Sequence, residues 1–289
     1  MQPGKFAVFS YLDTLTAGEV AAFAHKLERL GYSALWFPET FGRDPFVCAS
    51  HVLGATERLN AGAAVAVIWK RTAAAMAGAS RTIGEMFPGR FVLGMGVSGG
   101  PFMKRHGLDY SKPLSHMREY LGQMRKGPYY GPRPEVEPPV ILAALRPKML
   151  ELAGRETMGT ITALTPPEAI APVRTVLGAD KWICAQQVVM LESDATRARA
   201  AARKFMHFYL GSPTYHTHLR ALGFTDGDLA GDGSDRLIDS MVVWGDEAKL
   251  RSCLEAHLKA GANQVVISPL SSAGGHRPEE RVLEALAPH

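Results

Sequence analysis

At 289 residues, the chain is long for one ordinary domain and short for three, and its composition, 46% apolar and 21% charged, excludes disorder. A chain of this size buries roughly 75% of the surface its unfolded form exposes, so its core needs no staples. The formal net charge of +4 comes from scattered basic residues, which argues against nucleic acid and suits a small anionic ligand.

Three cysteines, Cys48, Cys184 and Cys253, lie far apart without a C-x-x-C pair and read as small buried hydrophobes. The longest apolar run, Ala61 to Trp69, is about half the length of a membrane-spanning helix. The opening residues MQPGKFAVFSYLD lack the pattern of a signal peptide. A cytoplasmic location without membrane contact is the expectation.

Along the chain one unit recurs: an amphipathic helix, a glycine, then a short apolar strand. After a first strand near 5–11, Thr16 to Glu19 reads as a capping box, and Val20, Phe23, Ala24, Leu27 and Leu30 share one helical face. Gly31 follows as a left-handed cap, and Ala34 to Phe37 form the next strand. Further strands are predicted near 60–68, 90–96, 139–144, 158–163, 181–190 and 264–268. Between them, Ser111-Lys112-Pro113 opens a helix faced by Leu114, Met117, Leu121 and Met124. Thr165 to Glu168 opens another with a cap and early prolines, and Ser193-Asp194 a long Ala/Arg-rich one. The stretch 211–236 carries no strand pattern and reads as a partly helical insertion before the last unit. Asp246 starts the last clear helix, Gly261 closes it, and Val265 to Ile267 form the eighth strand.

Eight continuous apolar strands alternating with helices mean parallel strands covered from outside. An open doubly wound sheet and a closed barrel both qualify. Eight units in this length fit the (β/α)8 barrel, which takes about 250 residues.

In a barrel the site lies at the C-terminal strand ends. The candidates by position are Ser10; Glu39-Thr40; Trp69-Lys70-Arg71; Gly96 to Gly100; Ala143 to Arg146; Thr162 to Leu164; Gln186-Gln187; and Ser268. Gly94 to Gly99 spells G-x-G-x-x-G. Pro101 and a polar loop follow, so no helix is expected to open there, and Glu119 sits within a helix instead of at a strand end. The turn reads as a Rossmann loop, a purely geometric glycine turn, or a cradle of backbone N–H groups for phosphate. At Ala143 to Pro147 small residues run from a strand into a helix N-terminus, which suits an anion or merely tight packing. His207, His216 and His218 lack partners at ligand spacing, so no metal is expected. Hydrolase and phosphoryl-transfer motifs are absent.

LGYSALWFPE, LNAGAAVAVIWKRT, PGRFVLGMGVSGG, PPVILAALRPKMLELAGR and AGANQVVISPL follow one another in the order of a known family. With them the chain resembles the bacterial luciferase-like monooxygenase superfamily, in particular its actinobacterial branch of deazaflavin (coenzyme F-420)-dependent oxidoreductases. The resemblance implies one luciferase-like TIM-barrel domain over 1–289, a homodimer, and hydride transfer between coenzyme F-420 and a small carbonyl, imine or activated alkene. An FMN-dependent monooxygenase and a non-catalytic deazaflavin-binding protein are the alternatives. It implies a non-proline cis peptide at Ala64-Val65 and cofactor contacts from Glu39, Ala64, Val65, Val67, Gly96, Val97, Ser98, Ala143, Ala144 and Leu145. Trp69 and Gln187 are the expected substrate contacts, and Trp36 and Trp69 are expected near the mouth. Two acid–base groups of the family's sugar-phosphate dehydrogenases are replaced by Thr40 and Gly99. The proton donor is thereby left open, with Glu39 and Thr40 as its only candidates.

Overall fold

A computed structural model describes residues 2–274 and 277–288. Its strands are β1 (Phe6–Phe9), β2 (Ala34–Phe37), β3 (Asn60–Ala63), β4 (Ala66–Val67), β5 (Phe91–Gly96), β6 (Val140–Ala143), β7 (Gly159–Thr162), β8 (Trp182–Leu191), β9 (Val242–Gly245) and β10 (Gln264–Pro269). The helices are α1 (Ala17–Arg29), α2 (Pro45–Ala55), α3 (Ala73–Met86), α4 (Gly100–Arg105), α5 (Pro113–Lys126), α6 (Pro147–Glu156) and α7 (Ile170–Leu177). After them come α8 (Ala195–Leu210), α9 (Pro213–Ala221), α10 (Asp226–Leu229), α11 (Asp235–Met241), α12 (Glu247–Lys259) and α13 (Glu280–Ala285).

Parallel pairing runs β1-β2-β3-β5-β6-β7-β8, and β10 joins β8 back to β1, closing the eight-stranded barrel that the alternation of elements implies. The local grammar holds. Thr16 accepts from the Glu19 N–H while the Glu19 carboxylate accepts from the Thr16 N–H, and Gly31 and Gly261 take φ of 82° and 109°. Asp246 caps α12 through the Lys249 N–H. At 165–168 the expected side-chain cap does not form. Thr165 donates to the Ala163 carbonyl instead, and a 3₁₀ turn over Pro167–Ala169 precedes α7.

Two departures shape the mouth. The strand expected over 60–68 is interrupted at a cis peptide between Ala64 and Val65, which separates β3 from β4. Just after the insertion lies an unforeseen strand, β9, paired with the outer half of β8 from Val188 to Leu191. The helices of the insertion share a second apolar cluster with Leu164, Val188 and Met190, so the insertion is anchored on the β7–β8 side of the barrel.

Alternate strand positions fill the barrel: Ala7, Phe9, Ala34, Trp36, Val92, Ile141, Ile161, Trp182, Cys184 and Val266 form one buried cluster. Trp36 lies in this interior rather than at the mouth. Its indole N–H donates to Gln264 at the start of β10, 2.9 Å away. A Cβ at position 62 would lie 2.2 Å from the Trp36 ring, so glycine is required there. Cys48 and Cys184 are buried and Cys253 is half-buried, all three free.

Candidate active site

Three neighbouring strands deliver a floor almost without side chains. A Cβ at Gly96 would meet Val65 Cγ2 at 2.4 Å and the Ala143 Cβ at 3.4 Å. Val65 from the β3–β4 junction, Gly96 from the end of β5 and Ala143 from the end of β6 thus lie together, with Ala64 and Val65 half-buried.

Glu39 braces this junction just after the cis bond. Its N–H donates to the Val65 carbonyl at 3.3 Å, and its carboxylate accepts from the Val67 N–H at 2.7 Å. Arg71 grips the same carboxylate with two bonds of 2.7 and 2.8 Å, and Lys70 Nζ lies 3.2 Å away. The Glu39 side chain is only 2% exposed. Burial works against the Arg71 guanidinium, but its bonds to Glu39 outweigh that and hold its pKa above the ordinary value.

Neither expected proton donor is available. Glu39 is occupied by Arg71, Lys70 and Val67, and the Thr40 hydroxyl donates to Asp13 at 2.7 Å. Val67 is buried and its N–H is spent on Glu39, so its backbone donor does not face the mouth.

Two turns border the floor. In the first, Ser98 adopts a left-handed φ of 56°, and a Cβ at Gly99 would meet nothing within 4 Å. The Val97 carbonyl accepts from the Trp69 indole at 2.8 Å, and the Ser98 carbonyl from the Tyr110 hydroxyl at 3.3 Å. Contrary to expectation a helix does open here, α4, with Gly99 as its N-cap. The closed parallel barrel nonetheless excludes the Rossmann reading of this turn. The second turn runs from Ala143 through buried Ala144 and half-exposed Leu145 to Arg146, which precedes α6 without a side-chain cap. Pro147 at the helix start carries no N–H and the Met149 N–H returns to the Arg146 carbonyl, so the exposed Arg146 side chain is the group this turn offers an anion.

Aromatic rings line the rim: Trp69 stacks on His116 at 4.1 Å and lies 5.5 Å from Tyr110, while Phe41 stacks on His106 at 4.0 Å. On the far side Tyr11 from the β1 loop bonds Tyr209 of α8. Burial raises both phenols, which keeps them protonated.

The insertion reaches the same rim through His218, whose Nε2 lies 2.9 Å from the Leu164 carbonyl. His216 bonds the Leu210 carbonyl, and His207 is exposed. Among the described residues no group of His, Cys, Asp and Glu could hold a metal.

Gln187 does not line the mouth. Trp182 and Cys184 point inward, so the two-residue period turns Gln187 outward. There its carbonyl oxygen accepts from His257 Nε2 of α12 at 2.9 Å, and its amide donates to the Val188 and Met241 carbonyls.

The sequence model of the luciferase-like monooxygenase family matches residues 3–264. The chain belongs to this family. It is 24% identical to a putative coenzyme F-420-dependent oxidoreductase of Mycobacterium tuberculosis, covering 83% of this chain and 88% of that one. It is 22% identical to a 5,10-methylenetetrahydromethanopterin reductase of Methanolobus tindarius, over 86% and 89% of the two chains. Among solved structures, an F-420-dependent secondary alcohol dehydrogenase in complex with an F-420–acetone adduct superposes with a TM-score of 0.77 at 16% identity, covering 99% of this chain and 97% of that one. No helix among the described residues is long and apolar enough to cross a membrane.

Proposed function

We propose that the protein is a coenzyme F-420-dependent oxidoreductase that moves a hydride between the deazaflavin and a small carbonyl, imine or activated alkene. The observation that carries this reading is the bare floor of Val65, Gly96 and Ala143 between two backbone turns. Such a floor admits a flat ring against the backbone, and the turns at Val97-Ser98 and Ala143-Ala144-Leu145 offer N–H groups to a phosphate. The open space beside Gly99 and the exposed Arg146 fit an anionic group at the rim. The name of the M. tuberculosis relative supports the choice of F-420 over FMN.

When bound, the deazaflavin supplies the hydride chemistry. The chain supplies position. Glu39 and Arg71 fix the β3–β4 junction, and Trp69, held by the Val97 carbonyl, walls the side of the mouth next to the first turn. The β1 loop and α8 wall the opposite side with Tyr11, Phe205 and Tyr209. The same reading includes a homodimer in the cytoplasm, with the chain acting as one domain.

The test is reoxidation of reduced F-420 by a panel of ketones, imines and enones in the presence of the protein. Substrate-dependent loss of reduced cofactor supports the proposal. Tight binding without turnover of any class would instead make the protein a deazaflavin carrier.

A further inference from the structure

Hydride transfer to or from a carbon bearing oxygen or nitrogen leaves a proton to be handled at that heteroatom. The mouth as built from Glu39 and Thr40 has no free group for it, since both side chains are fully engaged. The phenols of Tyr11 and Tyr209 are bonded to each other. Two imidazoles stand at the rim, His116 stacked on Trp69 and another brought in by α4, and the second has an unpartnered buried nitrogen.

His106 sits at the end of α4, directly beyond the turn after β5. Its ring stacks on Phe41, two residues past Glu39, with the planes 5° apart, and meets Phe102 edge-on at 4.7 Å. The loops after β2 and β5 thus meet at this ring. His106 Nε2 is shielded from solvent and has no hydrogen-bond partner. A buried polar nitrogen left open in this way is rare and calls for a partner that the protein itself does not provide.

We propose that His106 is the acid–base residue of the mouth, its Nε2 exchanging the proton with the oxygen or nitrogen of the substrate. This rests on the F-420 reading. As an alcohol carbon gives up its hydrogen with both electrons to the oxidised deazaflavin, the O–H bond breaks toward oxygen, the C=O bond forms, and the proton moves to Nε2. In the reducing direction the same proton returns to the new alkoxide oxygen.

The surroundings suit a base that is neutral at pH 7. Burial pushes the imidazole below its ordinary 6.5, the Lys70 ammonium and Arg105 push the same way, and Glu39 opposes them. Lys70 is itself held in place by the Thr40 carbonyl at 2.9 Å and by Glu39. Phe41 is 57% exposed, so the ring that covers the imidazole itself faces solvent.

The test joins two readouts. Imidazole ¹⁵N NMR of the apo-protein, titrated from about pH 4 to 9, locates the His106 midpoint, and oxidised F-420 is then added. The expected result is a midpoint below the ordinary value and a shift of the Nε2 resonance on F-420 binding. In parallel, His106→Gln is compared with wild type in F-420 affinity and in the pH profile of single-turnover reduction of cyclohexanone. We expect unchanged affinity, a rate lower by about 100-fold, and loss of the pH limb that tracks the NMR midpoint. If F-420 binds but the resonance stays put, the inference is overturned even where cyclohexanone is not turned over. A variant within about threefold of wild type with its pH limb intact overturns it as well. Failure of F-420 to bind the wild type would sink the functional reading instead, and fluorescence titration reports that separately.

Discussion

Removing the Arg71 guanidinium is the sharpest perturbation of the brace under the mouth. Glu39 is 2% exposed and Arg71 14%, so the pair is buried rather than solvent-screened. Arg71→Ala strips two hydrogen bonds from a carboxylate that keeps only Lys70 and the Val67 N–H. Breaking a buried pair from one side costs about 3–5 kcal/mol, and Lys70 at 3.2 Å places this case at the lower end. With an unfolding entropy of about 2.1 cal/mol/K per residue, 289 residues give about 0.6 kcal/mol/K, so Tm should fall by about 5 °C. Glu39→Ala with Arg71→Ala should cost less than the sum of the two single changes, because neither partner is then left alone. Thermal melts of the four proteins measure both quantities. A Tm loss under about 1 °C for Arg71→Ala, with additive effects in the double variant, would class the pair with exposed ion pairs and refute the brace.

Gly96→Ala places a methyl 2.4 Å from Val65 Cγ2 and 3.3 Å from its Cβ, so the Val65 side chain must shift. It should cost about 1–3 kcal/mol in denaturant melts and weaken F-420 binding at least tenfold, by about 1.4 kcal/mol. Burial lowers the His257 imidazole to about 4, so the unfolded chain takes up a proton near 6.5 that the folded chain refuses. Stability present above pH 6.5 should therefore be lost as pH falls toward 4, by about 1.4 kcal/mol per unit and about 3 kcal/mol in all, and His257→Gln should flatten that slope. Trp69→Phe should remove most of the tryptophan quenching caused by F-420, since Trp36 is enclosed in the barrel; undiminished quenching in this variant would place the ring elsewhere.

The barrel was legible because its punctuation is local. Thr16, Glu19, Gly31, Asp246 and Gly261 act within their own turns, and each does in the structure what its type and position require. Sidedness was harder. Strand β8 is apolar on both faces, so nothing local says that Gln186 turns inward and Gln187 outward; only packing of Trp182 and Cys184 inside the barrel fixes the parity. The short β9 pairs with half of one strand and follows a helix directly, which hides its period. Val65, Gly96 and Ala143 were found as a set, but their mutual contact is tertiary. Arg71 stood among the strand-end residues without a role, which only its pairing with Glu39 supplies. His106 gave no signal at all, because Phe41 and His106 are far apart in sequence and only the closed barrel stacks them.

The most direct test of the central claim is a paired equilibrium titration of the apo-protein with oxidised F-420 and with FMN, followed by calorimetry and tryptophan fluorescence. The account predicts a Kd for F-420 of about 1 μM or tighter, with FMN at least about tenfold weaker. Preference for FMN would contradict it and place the protein with flavin-using, oxygen-dependent monooxygenases. Binding of neither would mean that the floor of Val65, Gly96 and Ala143 serves some other ligand.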